Sequence, residues 1–265
     1  MKGESFIFCR KNAKFPLCLM QKPNMRNRLL LPALMVFLFV YGAYAQTTSA
    51  DYFNRGQDYY KRQDYSNAVS DFTRAIELDA NNANAYFGRG LARYHKGDVD
   101  GSIVDFSKLL ELSPKFAPGY VNRAVARGDK KDLDGAIADY TKAIELNPAL
   151  ILAYSNRCSA RDTKKDYIGA AADCLKALEL NPKSVAAYNN LANVRYHGRD
   201  FDGAIAAYSK AIEIDPTVAA AYHNRGTAKW YKADYAGAVV DHTKAIEIEP
   251  TRPSITPAAP NHIAN

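Results

Sequence analysis

A tyrosine recurs at every 34th residue of this chain, and the register does not slip over six occurrences. An aspartate follows each tyrosine twelve residues later. The two columns are Tyr52, Tyr86, Tyr120, Tyr154, Tyr188 and Tyr222, and Asp64, Asp98, Asp132, Asp166, Asp200 and Asp234. A unit of this length buries its apolar face only against its neighbours. The pattern therefore predicts a tandem array that binds along an extended surface.

Each unit carries two helical patterns separated by a short turn. In residues 117–150, the first pattern begins near Pro118, a residue tolerated at the first helical position. The second follows Asp132, whose carboxylate can accept the free amide hydrogens of the first turn. Asn147-Pro148 ends it, because proline disfavours helix in the residue before it. The sequence predicts an all-α solenoid of six antiparallel helix pairs.

The repeat has a signature of small and aromatic residues. Its members in residues 117–150 are Tyr120, Ala124, Ala136, Tyr140, Ala143 and Pro148. This signature resembles that of the tetratricopeptide repeat family, and the match covers residues 49–252. The resemblance implies a right-handed superhelix whose first helices line the concave side. It also implies that peptides or protein surfaces bind there.

An asparagine column is the most regular polar feature of the repeat. It comprises Asn54, Asn122, Asn156, Asn190 and Asn224, with Gly88 in the second repeat. The family places this column on the concave side, where an amide can both donate to and accept from a peptide backbone. The column is similar to the asparagine ladder of the O-linked N-acetylglucosamine transferases, although no transferase domain follows it. Two interpretations stay open: a ladder that holds an extended ligand, and a row of tolerated solvated residues.

Two neighbouring columns are mainly apolar in the first three repeats and polar in the last three. Their members lie one helical turn apart, so both face the groove if the asparagines do. The predicted apolar patch consists of Phe53, Phe87, Leu91, Val121 and Val125, with Tyr60 and Tyr94 one turn further on. Exposed apolar clusters mark interaction sites, which favours partner binding here. The alternative is that curvature of the array buries these side chains.

Two basic columns lie four residues apart on the first helix, and an aspartate column lies on the second. They are Arg55, Arg89, Arg123, Arg157 and Arg225; Arg93, Arg127, Arg161, Arg195 and Lys229; and Asp71, Asp105, Asp139, Asp173 and Asp241. The fifth repeat loses arginine and aspartate together, as Leu191 and Ala207, which suggests contact between them. We expect ion pairs within every repeat except the fifth, each contributing under about 1 kcal/mol if exposed. An anion-binding stripe is the alternative.

Residues 1–45 do not belong to the array. A twelve-residue apolar run without charges follows Arg28, and a small-x-small motif ends at Ala45. This pattern predicts a basic leader and signal peptide cleaved after Ala45, and hence a periplasmic or secreted protein. The alternative is an uncleaved leader in the inner membrane, although the run is short for a span of about twenty residues.

The leader accounts for most of the net charge. The whole chain has 35 basic and 28 acidic residues and a formal charge of +7. Seven basic residues and one acidic residue precede position 46, so the mature chain has 28 basic and 27 acidic residues and a charge of +1. A nearly neutral chain is a poor candidate for non-specific nucleic-acid binding.

The carboxy-terminal end differs from the repeats. Residues 253–265 contain three prolines, which predicts a disordered tail. Tandem helical repeats need a polar terminal cap. His242 stands where the other repeats have an aromatic residue or a cysteine, so we expect the last repeat to cap itself by being more polar.

Two cysteines remain after the leader, and both lie in the fourth repeat. Cys158 and Cys174 face each other across the predicted helix pair, near the geometric limit for a bond. An oxidising compartment permits a disulfide, and two small buried thiols are the alternative. The histidines show no metal-ligand spacing, and no phosphate loop or nucleophile motif occurs. The sequence predicts no cofactor and no catalysis.

Together these patterns predict a non-catalytic scaffold that binds an extended peptide or protein on its concave face. One alternative is a membrane-tethered envelope assembly factor that keeps its leader. A third reading is a carrier or enzyme accessory that binds a small anion or glycan.

Overall fold

The computed structural model describes residues 47–250, which form twelve α-helices and no strand. In chain order the helices are α1 (Ser49–Lys61), α2 (Tyr65–Leu78), α3 (Ala83–His95), α4 (Val99–Leu112), α5 (Ala117–Asp129), α6 (Leu133–Leu146), α7 (Ile151–Thr163), α8 (Tyr167–Leu180), α9 (Val185–His197), α10 (Phe201–Ile214), α11 (Ala219–Tyr231) and α12 (Tyr235–Ile248). The two helices of a pair pack most extensively on each other, and each second helix packs on the next first helix. The predicted solenoid of six helix pairs is confirmed.

The repeated aspartate begins every second helix. Its carboxylate accepts a hydrogen bond from the backbone N–H three residues later in all six repeats, as between Asp132 and Gly135 at 3.0 Å. The residue before each aspartate has a positive φ. These residues are Gln63, Gly97, Lys131, Lys165, Arg199 and Ala233. The left-handed residue and the cap together reverse the chain within three residues.

Small residues on one helix face aromatic residues on the other. In the third repeat, Ala124 and Ala136 are 0% and 1% exposed and pack in one cluster with Tyr140. The small side chains let the helix axes approach, and the aromatic ring fills the space between them. The signature read from the sequence is therefore the core of the repeat.

The predicted ion pairs form in every repeat except the fifth. The arginine nitrogen and the aspartate oxygen lie 2.5–2.7 Å apart. The five pairs are Arg55–Asp71, Arg89–Asp105, Arg123–Asp139, Arg157–Asp173 and Arg225–Asp241. In the second, third, fourth and sixth repeats, the aspartate also binds a cation of the second basic column at 2.7–2.8 Å. The columns are structural, which leaves no free basic stripe for an anion.

Most of these pairs are not exposed to solvent. The aspartate side chains are only 1–9% exposed, and four of the five arginines are 11–17% exposed. These four pairs are buried because the arginine lies between two repeats, beside the ring of the repeated tyrosine, whereas Arg55 in the first repeat is 55% exposed. Arg157 also donates to Thr141 Oγ1 of the preceding repeat at 2.8 Å. At the fifth repeat, Leu175 and Leu191 occupy the positions of this hydroxyl and arginine.

The last repeat does not cap the array with polar residues, contrary to expectation. Val239 and Ile246 on α12 are 61% and 64% exposed. His242 makes only one position of the last repeat more polar. The other apolar positions of the second helix, such as Val239 and Ile246, stay apolar in α12. Residues 1–46 and 251–265 lie outside the described residues, so the leader, its cleavage site and the tail stay predictions. None of the helices in residues 47–250 is long and apolar enough to cross a membrane.

Candidate binding groove

The first helices line the inner side of the array. First helices of adjacent repeats contact one another at all five junctions within residues 47–250, whereas second helices of adjacent repeats make no comparable contact. Elements on the inner side of a curved stack lie closer together than those on the outer side. The surface of α1, α3, α5, α7, α9 and α11 is therefore the inner groove of the array.

An apolar cavity of about 500 Å³ opens at the amino-terminal end of this groove. Phe53 and Tyr60 of α1 form one side, and Phe87 of α3 forms the other. All three are half-buried. Phe87 is held by Phe106 and Phe116, with ring centroids 6.1 and 5.2 Å away. Cavities of this size, with aromatic walls, suit a large apolar side chain.

Much of the predicted apolar patch is not exposed. Leu91, Val121 and Val125 are 5%, 1% and 3% exposed, so they belong to the core and not to an open surface. Val121 and Val125 pack with Tyr140 and the small residues of the third repeat, and Leu91 packs with Phe106 and lines the floor of the apolar cavity. Close stacking of the first helices covers these positions, as the alternative interpretation of the sequence held.

The asparagine column is not an open ladder. Asn122 is 0% exposed, Asn156, Asn190 and Asn224 are half-buried, and Asn54 is exposed. The position lies against the second helix of the preceding repeat, since Asn156 lines one cavity with Tyr140. Gly88 occurs in this column because a Cβ there would lie 2.6 Å from the Phe72 ring. Asn122 cannot reach a ligand in this conformation, which corrects its predicted role.

Tyr60 and Tyr94, the two tyrosines predicted to extend the apolar patch, differ in their contacts. Tyr60 packs edge-on against Tyr65, 5.6 Å between ring centroids, and burial raises the pKa of its hydroxyl. Tyr94 donates a hydrogen bond to Asp129 of the next repeat at 2.6 Å. Burial, followed by this bond, raises the pKa of Tyr94 well above its ordinary value. Tyr60 remains available to a ligand in the apolar cavity, while the Tyr94 hydroxyl bridges two repeats.

A polar cavity of about 170 Å³ lies at the other end of the groove. It is lined by Asn193, Tyr196, His197, Tyr208, His223, Asn224 and Thr227. His197 Nδ1 lies 2.8 Å from an oxygen of Asp162, and this hydrogen bond raises the pKa of the imidazole. The pKa of His223 is lowered, first by burial and then by His242. The groove changes from apolar to polar along its length, as the two columns predict.

Three polar residues outside the predicted apolar patch also contribute to the apolar cavity. Gln57, Lys61 and Asn84 line its edge. Lys61 follows Tyr60 directly and is 74% exposed, with Asp58 at 3.5 Å. A comparison of columns did not reveal Lys61, because the equivalent residues in the other repeats differ in chemistry. A cation beside an apolar cavity favours an acidic group next to the apolar side chain of a ligand.

The fourth repeat contains a disulfide between Cys158 and Cys174. Their Cα atoms lie 5.6 Å apart, and both side chains are 0% exposed. Cys174 stands where other repeats place a large aromatic ring, and Cys158 where they place a small residue. The bond therefore joins the two helices at the position where a ring packs elsewhere. No group of three metal-ligating side chains occurs in residues 47–250.

Comparison with known families agrees with this architecture. Profiles described as "TPR repeat" and "Tetratricopeptide repeat" match three separate stretches, namely residues 56–97, 117–150 and 185–218. No curated protein matches the chain significantly.

Many solved structures share the fold. A crystal structure of MamA is similar over 61% of this chain and 94% of its own, with 29% identity and a TM-score of 0.58. YrrB, described as a TPR protein with an unusual peptide-binding site, is 22% identical over 68% of this chain and 93% of its own, with a TM-score of 0.58. A tetratricopeptide repeat protein from Parabacteroides merdae is 20% identical over 75% of this chain and 79% of its own, with a TM-score of 0.68.

Proposed function

The chain belongs to the tetratricopeptide repeat family, and on this basis we propose that it is a non-catalytic scaffold that binds an extended peptide or protein segment along its first helices. The apolar cavity between Phe53, Tyr60 and Phe87 is the observation that carries this proposal. A ligand anchors one large apolar side chain there. Its backbone then runs along the groove toward the polar cavity at His223.

The anchor contributes most of the affinity, and the asparagines add less. A backbone hydrogen bond is worth about 0.5–1.5 kcal/mol net, whereas an aromatic anchor in a desolvated pocket can cost 2 kcal/mol or more on truncation. Asn54, Asn190 and Asn224 retain access to the groove, and Asn122 does not. Lys61 at the cavity edge favours a ligand with an acidic residue beside the apolar one.

A peptide selected from a phage-displayed library on the full chain provides a probe. Calorimetry should show that Phe87→Ala weakens its binding by about tenfold or more, because the anchor wall is lost. Asn190→Ala should weaken binding less. The matched control is Val104→Ala, since Val104 is 64% exposed on a second helix, outside the groove. Circular dichroism verifies that each variant remains helical.

The proposal fails if Val104→Ala lowers the affinity while the groove variants leave it unchanged. Lys61→Glu provides a sharper test of the ligand chemistry. Selection on this variant should enrich basic residues beside the apolar anchor, where selection on the native chain enriches acidic ones. Identical consensus sequences from both selections would show that Lys61 does not contribute to the choice of ligand.

We propose that the protein is periplasmic or secreted, with a mature form that starts at Gln46. The apolar run after Arg28 and the motif that ends at Ala45 support this location. A disulfide between Cys158 and Cys174 is compatible with an oxidising compartment. Intact-mass measurement of the protein from its native host tests the cleavage. A mature species that retains residues 29–40 would instead indicate the membrane-tethered form.

A further inference from the structure

The carboxy-terminal end of the array exposes side chains that the other repeats cover. Ile246 is 64% exposed, whereas the equivalent Ile76, Leu110 and Leu178 are 9%, 5% and 8% exposed. Val239 is 61% exposed, and its equivalents in the other five repeats are all half-buried. In the other repeats, the first helix of the next repeat packs over these positions. We call the surface of Trp230, Tyr235, Val239, Thr243 and Ile246 the end face.

The end face continues an interface that occurs five times within the chain. Thr243 is equivalent to the hydroxyl residues that accept a hydrogen bond from the arginine of the next repeat at four junctions. No next repeat follows in the described residues, and a shallow depression of about 440 Å³ lies beside Val239 and Thr243. Trp230 and Tyr235 border the end face, 56% and 53% exposed, with ring centroids 4.7 Å apart. Trp and Tyr at the border of an apolar surface are typical anchors of protein interfaces.

We propose that the end face binds the end face of a second copy, so that two arrays meet at their last repeats about a two-fold axis. Val239 and Ile246 lie two turns apart on α12. An antiparallel crossing of α12 with its symmetry mate places Val239 of each copy against Ile246 of the other. The same contact then forms twice, as an isologous interface requires.

The amino-terminal end of a second copy does not fit the end face. In the inner repeats, Ala85 and Ala92 press against the preceding second helix and are 0% exposed. The first repeat has Asp51 and Asp58 at these two positions, and both are exposed. Head-to-tail stacking would bury two carboxylates against apolar side chains, which is strongly unfavourable. Among the repeats of residues 47–250, the first therefore presents carboxylates at its outer surface, and the last presents apolar side chains.

The chain's own residues 251–265 are a poor cover for the end face. They contain only two large aliphatic side chains, Ile255 and Ile263. A second copy brings a face that is already ordered.

Charges around the end face do not oppose self-association. Lys244 pairs with Glu247 at 3.0 Å, and Lys232 pairs with Asp202 at 2.6 Å. Positively and negatively charged side chains therefore occur together around the end face. A two-fold axis brings no block of like charge together. This charge balance favours a second copy over a strongly acidic or basic partner.

Site-specific photo-crosslinking in the full chain, expressed in its host, tests the proposal. Benzoylphenylalanine replaces Tyr235, a conservative exchange of one aromatic residue for another. The control replaces Val104, which is 64% exposed on the convex side of the second repeat. We expect an adduct of twice the chain mass from position 235 and none from position 104. Its crosslinked peptides should come only from this chain, and from the last repeat.

Every other product overturns the proposal. An adduct with a different protein would identify a heterologous partner, and a link to the first repeat would indicate head-to-tail stacking. A link within one chain to residues 251–265 would show that the tail covers the face. Monomer alone would show that the face stays open.

A charge variant separates a specific interface from chance collision. Val239→Lys and Ile246→Lys alter side chains that are already exposed, so the fold should survive, as circular dichroism can verify. The yield of the adduct from position 235 should fall about tenfold or more, because four charges would meet at the two-fold axis. An unchanged yield would contradict the proposed geometry.

Discussion

Arg157 Nη2 lies 2.6 Å from Asp173 Oδ1, and the two side chains are only 11% and 5% exposed. The same aspartate accepts a bond from Arg161 at 2.8 Å, and Arg157 reaches Thr141 in the preceding repeat. One carboxylate therefore binds two guanidinium groups, and one guanidinium joins two repeats. In the last repeat, burial alone would raise the pKa of Asp241, but the bonds from Arg225 and Lys229 hold it below its ordinary value.

Removal of one member of this cluster should be costly. Asp173→Ala leaves two cations without their carboxylate in a buried site, so we expect a loss of about 3–5 kcal/mol in the free energy of unfolding. The fifth repeat provides a matched control. The triple variant Thr141→Leu, Arg157→Leu and Asp173→Ala copies its apolar residues and should be less destabilised than the single variant. Urea denaturation measures both, and a single variant that loses under about 1 kcal/mol would contradict the role.

Two glycines on first helices should respond oppositely to alanine. A Cβ at Gly88 would lie 2.6 Å from the buried Phe72 ring, whereas nothing lies within 4 Å of a Cβ at Gly128. Gly88→Ala should destabilise by about 1–3 kcal/mol, as overpacking does. Gly128→Ala should stabilise by about 0.5–1 kcal/mol, because glycine is unfavourable in a helix. Thermal or urea unfolding measures the change in the free energy of unfolding for both variants. Equal changes at the two positions would refute the steric explanation.

The disulfide in the fourth repeat is tested by counting thiols. Alkylation of unfolded, non-reduced mature protein should find no free thiol at Cys158 or Cys174. The double variant with serine at both positions should lose about 3 kcal/mol, the value that the chain-entropy model assigns to a loop of about 15 residues. Two reactive thiols in the native secreted protein would show that the bond does not form there.

The pKa values of the two histidines His197 and His223 in the polar cavity should be shifted in opposite directions. The hydrogen bond that His197 donates to Asp162 raises the pKa of His197 above 6.5, and burial lowers that of His223. The stability from His197 is fully present below its unfolded pKa and is lost as pH rises through its folded pKa. The difference in unfolding free energy between the native chain and His197→Gln should therefore be larger at about pH 5 than at about pH 8. NMR titration of each imidazole measures the two shifts directly, and a His197 pKa below 6.5 would contradict the bond.

The repeat was readable from the sequence because every unit repeats the same local signals. Asp132 begins a helix and Pro148 follows one; the aspartate recurs in all six repeats and the proline in five of them. The contact between arginine and aspartate was also readable, since the fifth repeat loses both partners together. The burial of this ion pair could not be predicted from the sequence. The preceding repeat covers the arginine, and the spacing of residues within one repeat does not describe the packing between repeats.

The candidate groove was only partly predictable for the same reason. Phe53 and Phe87 line the apolar cavity as expected, whereas Leu91, Val121 and Val125 are buried. All five residues belong to the same two columns, so their sequence positions cannot separate them. What separates them is how closely successive first helices stack.

The sequence by itself determined the helices, their caps, the pairing within each repeat and the number of repeats, because these depend on local propensity and on a period that the chain states six times. Only the tertiary structure decided which columns face the groove and which are covered. Exposure at any position depends on the side chains that the adjacent repeat brings against it. Ile76 and Ile246 occupy the same place in the repeat, yet one is 9% and the other 64% exposed, because within residues 47–250 only the first has a following repeat to cover it.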